Sequence, residues 1–420
     1  MSRVRLLCAL LCAAVSAACS DGTGPAPDVT VTRVTPTNGP LAGGTAVAIT
    51  GANFPATVDS VRVGTGRLGS LVRVSATQVT GTTPAGSTAG AVDVAVYTTS
   101  AGSGTCPRCF VYFGAEPIVL HYDGTGWSTA LEDVNGTRVS LASVWGATAS
   151  AVFAVGGACV GADVLVRYDG TAWSQPPGQC VVFGSSGGLT SVFGISASDV
   201  FVVGRRALPP WGETSIRHYD GQQWTVVYGH SCSFSCFAGP RAVWSGSSTD
   251  AFVVGDSGLV LHYDGTSWNP QPSGTTEQLD AVWGVGPGAA VFAVGAGGTI
   301  LYYDRSTWRA LPSGTTQPLF AIWGTSANDV FAVGGAGTVL HYDGTTWTAQ
   351  NSGSTQPLYG VWGSSGNAVF AVGDSSTILH CDGTTWTAQT TAASMTLRGV
   401  WGSSPANVFA VGAPRWRQGR

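Results

Sequence analysis

At 420 residues the chain is long enough for two or three domains. Only 10% of its residues are charged, the formal net charge is −4, and all 19 basic residues are arginine. That balance supplies no clustered basic surface for nucleic acid. Past the N-terminus no run approaches the ~20 apolar residues of a membrane-spanning helix, so the chain is not read as integral to a membrane.

Residues 1–18 have the pattern of an export signal: Arg3 and Arg5 form a basic start, residues 6–15 an apolar run, and Ser16-Ala17-Ala18 a small-residue cleavage site. Cys19 follows directly, and Ser-Ala-Ala-Cys resembles a bacterial lipobox. The resemblance implies acylation at Cys19, which becomes the mature N-terminus and ties the protein to the cell envelope. Ser16 stands where that pattern prefers Leu, and plain secretion is the alternative. With Cys19, the Gly/Pro/Asp stretch 20–28 forms an anchor and linker.

Residues 29–113 alternate apolar and polar residues in short runs, such as Ala46-Val-Ala-Ile-Thr50 and Val92-Asp-Val-Ala-Val-Tyr97, punctuated by Gly, Pro and Asn. Such patterning predicts a small antiparallel β-sandwich. In order, Pro36-x-x-Gly39, Gly43-Gly44-Thr45, Ile49-Thr50-Gly51-x-Asn53-Phe54, Val61-x-Val-Gly64 and Val92-Asp93-Val-x-Val resemble the immunoglobulin-like IPT/TIG family. That resemblance implies a spacer or adhesion module and brings no catalytic residue.

Residues 117–412 repeat with a period of about 40, which leaves 413–420 as a tail. One half of the repeat, V-W-G…V-F-A-V-G, recurs at Trp145, Phe193, Trp244, Trp283, Trp323, Trp362 and Trp401. The other, Y-D-G-x-x-W, recurs at Tyr122, Tyr168, Tyr219, Tyr263, Tyr303, Tyr342 and Cys381. This period predicts four-stranded propeller blades. The halves are offset, so the first half-blade can complete the last and leave no open edge. The expected fold is all-β: an immunoglobulin-like sandwich, then a seven-bladed β-propeller closed by its first and last half-blades.

In the most regular repeat, residues 321–324, 329–334, 338–342 and 346–350 are the expected strands, from innermost to outermost. Val-Phe-Ala-Val is apolar on both faces and suits a strand between neighbouring blades. Asp343-Gly344 suits a tight hairpin, and the Trp after it is expected to pack on the next blade. An aromatic burying ~150–250 Å² contributes roughly 4–6 kcal/mol at ~25 cal/mol/Å² before entropy is counted. His121, His218, His262, His341 and His380 occupy equivalent places, so around a ring they diverge and cannot share a metal. A lone turn Asp lacks the six to eight oxygens of a calcium site. The D-G-T-x-W turn resembles the Asp-box of BNR-type propellers, with one residue fewer between Asp and Trp, and in that family the box is a fold element remote from the active site. The repeat also resembles the propeller of photosystem assembly proteins and their relatives.

Spacing between successive V-W-G positions is 39 or 40 residues in the later blades, but 48 from Trp145 to Phe193 and 51 from Phe193 to Trp244. Alternating strand direction puts these insertions on one face of the disc, as a raised patch. Two loops are expected there. One carries Arg205, Arg206, Trp211 and Glu213; the other carries His230, Phe234 and Phe237. Arginine and aromatic side chains on stiffened loops are the usual materials of a recognition site. Cys106/Cys109, Cys159/Cys180 and Cys232/Cys236 can pair as loop staples, leaving Cys381 over. A redox role for Cys106-x-x-Cys109 would need a helix N-terminus, and the cysteines lie too far apart for zinc.

Four Glu and turn-bound Asp give no evident catalytic pair of carboxylates. The expected function is a non-enzymatic binding or scaffold protein of the bacterial cell envelope, without cofactor or metal, monomeric, and held to the membrane only by its N-terminal lipid. Its propeller would recognise a polysaccharide or an envelope protein, with no nucleic-acid partner and the IPT/TIG-like domain as stalk. The alternatives are a sialidase-like glycoside hydrolase and an envelope assembly factor.

Overall fold

The computed structural model describes residues 27–41, 43–87, 90–113, 118–134, 139–158, 163–175, 187–208, 211–233 and 239–414. Cys19 and the export signal lie outside the described residues, as do Cys159, Cys180, Phe234, Cys236 and Phe237. The chain divides into two units after Phe113.

In the first unit the period-two pattern folds as two sheets. One orders Thr30–Thr35, Ala46–Ala52, Gln78–Thr82 and Gly69–Ser75; the other orders Asn38–Pro40, Gly102–Phe113, Gly90–Thr98, Ser60–Val63 and Gly66–Arg67. All pairings are antiparallel except that of Asn38–Pro40 with Gly102–Phe113. The inward residues of both sheets, among them Ile49, Val79, Val94, Val96 and Phe110, are fully buried in one core. Within the last strand the register moves from Val94 opposite Cys106 to Val92 opposite Phe110, so the residues between bulge outward. Arg108 takes φ 53° there, and its backbone N–H donates to Asp93 Oδ1 at 2.8 Å. Across this bulge the sulfurs of Cys106 and Cys109 are in contact.

The second unit is seven four-stranded antiparallel sheets. Their innermost strands are Val139–Thr148 (blade 1), Gly187–Ser196 (blade 2), Pro240–Ser247 (blade 3), Leu279–Gly284 (blade 4), Leu319–Ser326 (blade 5), Leu358–Ser365 (blade 6) and Met395–Ser404 (blade 7). Each lies beside the next, and blade 7 lies beside blade 1, so the ring is closed. Blade 7 takes its outer strands, Val119–Tyr122 and Trp127–Leu131, from the start of the repeat, with Val119 opposite Val411 and Tyr122 opposite Val408. Ala413 and Pro414, expected in the tail, extend its second strand opposite Thr396 and Met395.

Every second strand is apolar on both faces because both are covered. Val330, Phe331, Ala332 and Val333 are at most 3% exposed. Each phenylalanine is held by its own blade and by the next. Phe292 of blade 4 meets Tyr342 at 5.7 Å and Trp347 at 6.3 Å between ring centroids, both from blade 5. The tryptophan therefore packs backwards, on the preceding blade; the expectation of a contact with the next blade is corrected. The same holds for Trp386 on Phe331, Trp127 on Phe370 and Trp173 on Phe409. Tyr342 stands opposite Trp347 in the ladder, so the two share one face, and that face is turned to the predecessor. Three of these indoles also donate to a glutamine of the blade before: Trp127 to Gln389, Trp308 to Gln271 and Trp386 to Gln350, at 2.6–2.8 Å.

Candidate functional site

In every blade the innermost strand slips register near its first residues, and in all but blade 4 it slips again near its last; the first slip is common to all seven. Pairing jumps from Leu279↔Gly295 to Ala281↔Val294, and Asp280 is left out of the ladder. The same slip isolates Ala142, Thr190, Arg241, Phe320, Tyr359 and Arg398 in the other six blades. A β-bulge frees one residue from pairing and re-aims its side chain. Here all seven line a central cavity of about 210 Å³. Arg241 pairs through Nε with Asp256, which belongs to the turn joining the second and third strands of blade 3. The ring of bulges is therefore level with those turns, on the face of the disc that carries the insertions. At the other end of the innermost strands the corresponding residues are uncharged: Ala147, Ile195, Gly246, Val285, Thr325, Ser364 and Ser403.

The mouth is chemically uneven. Arg241 Nη1 donates to Asp280 Oδ1 at 3.3 Å, and Gln278 Nε2 donates to the same oxygen at 2.7 Å. Asp280 Oδ2 is buried and accepts no hydrogen bond among the described residues. Burial pushes the Asp280 carboxyl above the usual range, against the pull of Arg241 and Gln278. Further round the ring, Phe320 and Tyr359 are in contact at 5.2 Å between centroids. The Arg398 guanidinium stands 5.6 Å over the Tyr359 ring, a cation–π arrangement. Arg398 is exposed, and among the described residues no carboxylate or hydrogen-bond acceptor engages it. Between Arg398 and Arg241 the ring holds only Ala142 and Thr190.

The segments read as insertion loops in blade 2 are strands, which corrects that expectation. Asp199–Leu208 and Trp211–Tyr219 pair to their ends, with Leu208 opposite Trp211, and Trp224–Ser233 continues beside them, with Trp211 opposite Ser233. Beyond the point where other blades turn, residues 204–208 and 211–215 stay paired with each other, and 211–215 with 229–233; this ladder outweighs the Gly, Pro and Ser that suggested loops. Blade 2 thus rises above its neighbours as a sheet. Arg206 is opposite Glu213 and Ser231, whereas Arg205 is opposite Thr214 and His230. Cys232 lies in the outermost strand, opposite Gly212.

The repeated histidines serve the fold. His218, His262 and His341 bond through Nε2 to Asp199, Asp250 and Asp329 of their own blades, and His121 to Asn407, at 2.7–2.9 Å. The turn aspartates are spent locally as well: Asp343 Oδ1 accepts from the Thr345 hydroxyl and from the Thr345 and Thr346 backbone. Among the described residues no group of three or more His, Cys, Asp or Glu is placed to hold a metal.

Sequence reasoning missed the ring of bulges. Its signal was present as variation inside a repeat: between a near-constant Leu and the small residue before V-W-G, the seven blades carry Ala, Thr, Arg, Asp, Phe, Tyr and Arg.

Fold and site define an all-β protein with an N-terminal immunoglobulin-like domain and a seven-bladed propeller whose channel mouth bears unlike residues on a like frame. Residues 30–110 match the family model of the IPT/TIG domain. No curated protein matches the chain. Among solved structures, "YCF48 bound to D1 peptide" is similar at 17% identity and a TM-score of 0.50, over 66% of this chain and 92% of that one. YCF48 from Cyanidioschyzon merolae is similar at 13% identity and a TM-score of 0.47, over 66% and 96%. An auxiliary nutrient binding protein from Bacteroides thetaiotaomicron is similar at 11% identity and a TM-score of 0.39, over 93% and 98%. The first likeness supports the propeller fold alone.

Proposed function

We propose that this is a non-enzymatic binding or scaffold protein of the bacterial cell envelope. In this reading it is exported by residues 1–18, anchored by a lipid on Cys19, and carries the IPT/TIG domain as a stalk; Cys106 and Cys109 form a disulfide on that domain's last strand. The observation that carries the proposal is the ring of bulges. One frame repeated seven times presents seven mostly different side chains to one concave mouth, as a recognition site requires. The tall sheet of blade 2 borders the same face, and Trp211 and Arg205 belong to the surface we assign to the partner, a polysaccharide or an envelope protein. Against a glycoside hydrolase stands the single carboxyl, Asp280, among the residues that line the mouth, where that reaction uses a pair. Release of sugar from a glycan panel would overturn that part.

The test is capture from an envelope extract by the full chain, beside Phe320→Ala/Tyr359→Ala/Arg398→Ala and, separately, Arg205→Ala/Trp211→Ala. A partner retained by the wild type and lost by the folded triple variant supports the mouth as the site. Equal capture by all three removes both the mouth and the blade 2 surface from the function.

A further inference from the structure

We infer that the sector of the mouth between Arg398 and Arg241 is a carboxylate subsite, and that its ligand is a polysaccharide containing uronic acid. This rests on the reading of the mouth as the recognition site and names the chemistry of its ligand.

Room and charge coincide in this sector. Going round the ring from Arg398 to Arg241, the two bulge residues between them are Ala142 and Thr190, both small and uncharged, while the other way round lie Tyr359, Phe320 and Asp280. A group entering the cavity therefore finds space between two guanidinium groups. Both arginines are placed in advance. Arg398 is held against Tyr359, which is itself in contact with Phe320, and Arg241 is tied to Asp256 and Asp280. A guanidinium has five N–H donors in a fixed fork. Arg241 keeps donors beyond its two ion pairs, and Arg398 has its whole set. Planar two-point recognition of a carboxylate is what such forks do best.

Three features narrow the ligand. Arg241 already meets two carboxylates, whereas Arg398 meets none among the described residues, so one unpaired guanidinium stands ready for a single negative charge, and a doubly charged phosphate would also face Asp256 and Asp280. The cavity, at about 210 Å³, is smaller than the roughly 300–1,000 Å³ of pockets that enclose a drug-sized molecule; one sugar unit or one end group fits. Finally, the bulges interrupt the innermost ladder at this level in all seven blades, so a peptide main chain finds no unbroken strand edge to pair with. A pyranose needs none: it is held by contacts to side chains, and half-buried Phe320 and Tyr359 offer apolar walls for its C–H faces.

Calorimetric titration of the full chain with oligogalacturonate, with the same oligomer after reduction of its carboxyls, and with an acidic peptide bearing a free C-terminus tests this. We expect binding of the acid form, weakened about tenfold or more by carboxyl reduction and by Arg398→Gln, the scale of a lost charged hydrogen bond. Ala142→Leu, which fills the open sector, should act alike, both variants melting as the wild type does. Equal binding of acid and reduced forms overturns the carboxylate subsite but leaves the mouth as a glycan site if Phe320→Ala/Tyr359→Ala abolishes it. Preference for the peptide, or no binding of either glycan, overturns the ligand assignment. The envelope-capture experiment then decides separately whether the mouth binds any partner.

Discussion

The indole of Trp401 lies on the backbone of Gly146, where a Cβ would stand 2.5 Å from the ring. Blade 7 is thus seated on blade 1 by a tryptophan over a glycine. Trp145 over Gly194, Trp244 over Gly284, Trp283 over Gly324, Trp323 over Gly363 and Trp362 over Gly402 repeat the arrangement. The remaining joint, from blade 2 to blade 3, has Phe193 in place of tryptophan and buried Ser245 in place of glycine; the smaller ring goes with the larger backbone residue.

This size exchange predicts a paired effect. Phe193→Trp should overpack its joint and lower stability by about 1–3 kcal/mol, and Ser245→Gly in the same chain should recover most of the loss. Urea midpoints of the two variants and the double variant check it; additive losses would show that the joint is not set by this contact.

The indole latches give a second prediction. Where the preceding blade offers no glutamine, the buried indole N–H has no acceptor among the described residues: Trp347 has Leu311 at the place of Gln350, and Trp173 has Ala130. Gln350→Leu should strand Trp386 Nε1 and cost about 1–3 kcal/mol. Leu311→Gln should give Trp347 a partner, for a net gain of about 1 kcal/mol reduced by lost leucine packing. Thermal melts of both variants compare directly, and opposite signs are expected.

His380 is the histidine of the set whose own blade lacks the acceptor, because Ala368 stands where the others have Asp or Asn. Burial lowers its pKa, against the pull of Asp382. A folded-state pKa below the unfolded value adds stability above about pH 6.5 that is lost as pH falls through that range. Ala368→Asp should raise the His380 pKa and remove this loss. NMR titration of the imidazole against pH reads the shift, and an unchanged pKa would refute the pairing.

The turn aspartates set the acid limit. Hydrogen bonds from the following Thr or Ser hydroxyl and from two backbone N–H groups hold Asp123, Asp169, Asp304 and Asp343 down to about 2. Asp264 and Asp382 are lowered further by like bonds. Depressed carboxylates stabilise the fold above their unfolded pKa, near 3.8, and that support fades as pH falls toward 2. The melting temperature should therefore drop steeply below about pH 4, and Asp343→Asn should shallow the slope.

Much of this was legible in the sequence. The 40-residue period, the offset of its halves and the Val-Phe-Ala-Val runs each have one structural meaning, because a doubly covered strand must be apolar on both faces. What escaped has a physical reason. Tyr342 and Trp347 were visible as a pair, but which neighbouring blade they face is decided by blade twist, which no residue pattern encodes. Turn residues suggested loops around Arg205 and Trp211, where hydrogen bonding carries the strands on. The bulges leave no residue of their own, since a register slip is a relation between two strands, and so the mouth showed only as one variable position in an otherwise constant motif.

Under the proposed function, recognition happens at the mouth lined by Ala142, Thr190, Arg241, Phe320, Tyr359 and Arg398. Placing a photocrosslinking side chain at Thr190, on that mouth, and at Ser364, at the opposite end of the channel, tests it most directly in the full chain exposed to envelope extract. The account predicts a discrete crosslinked partner from Thr190 and none from Ser364; crosslinking from Ser364 alone would place recognition on the other face and contradict it.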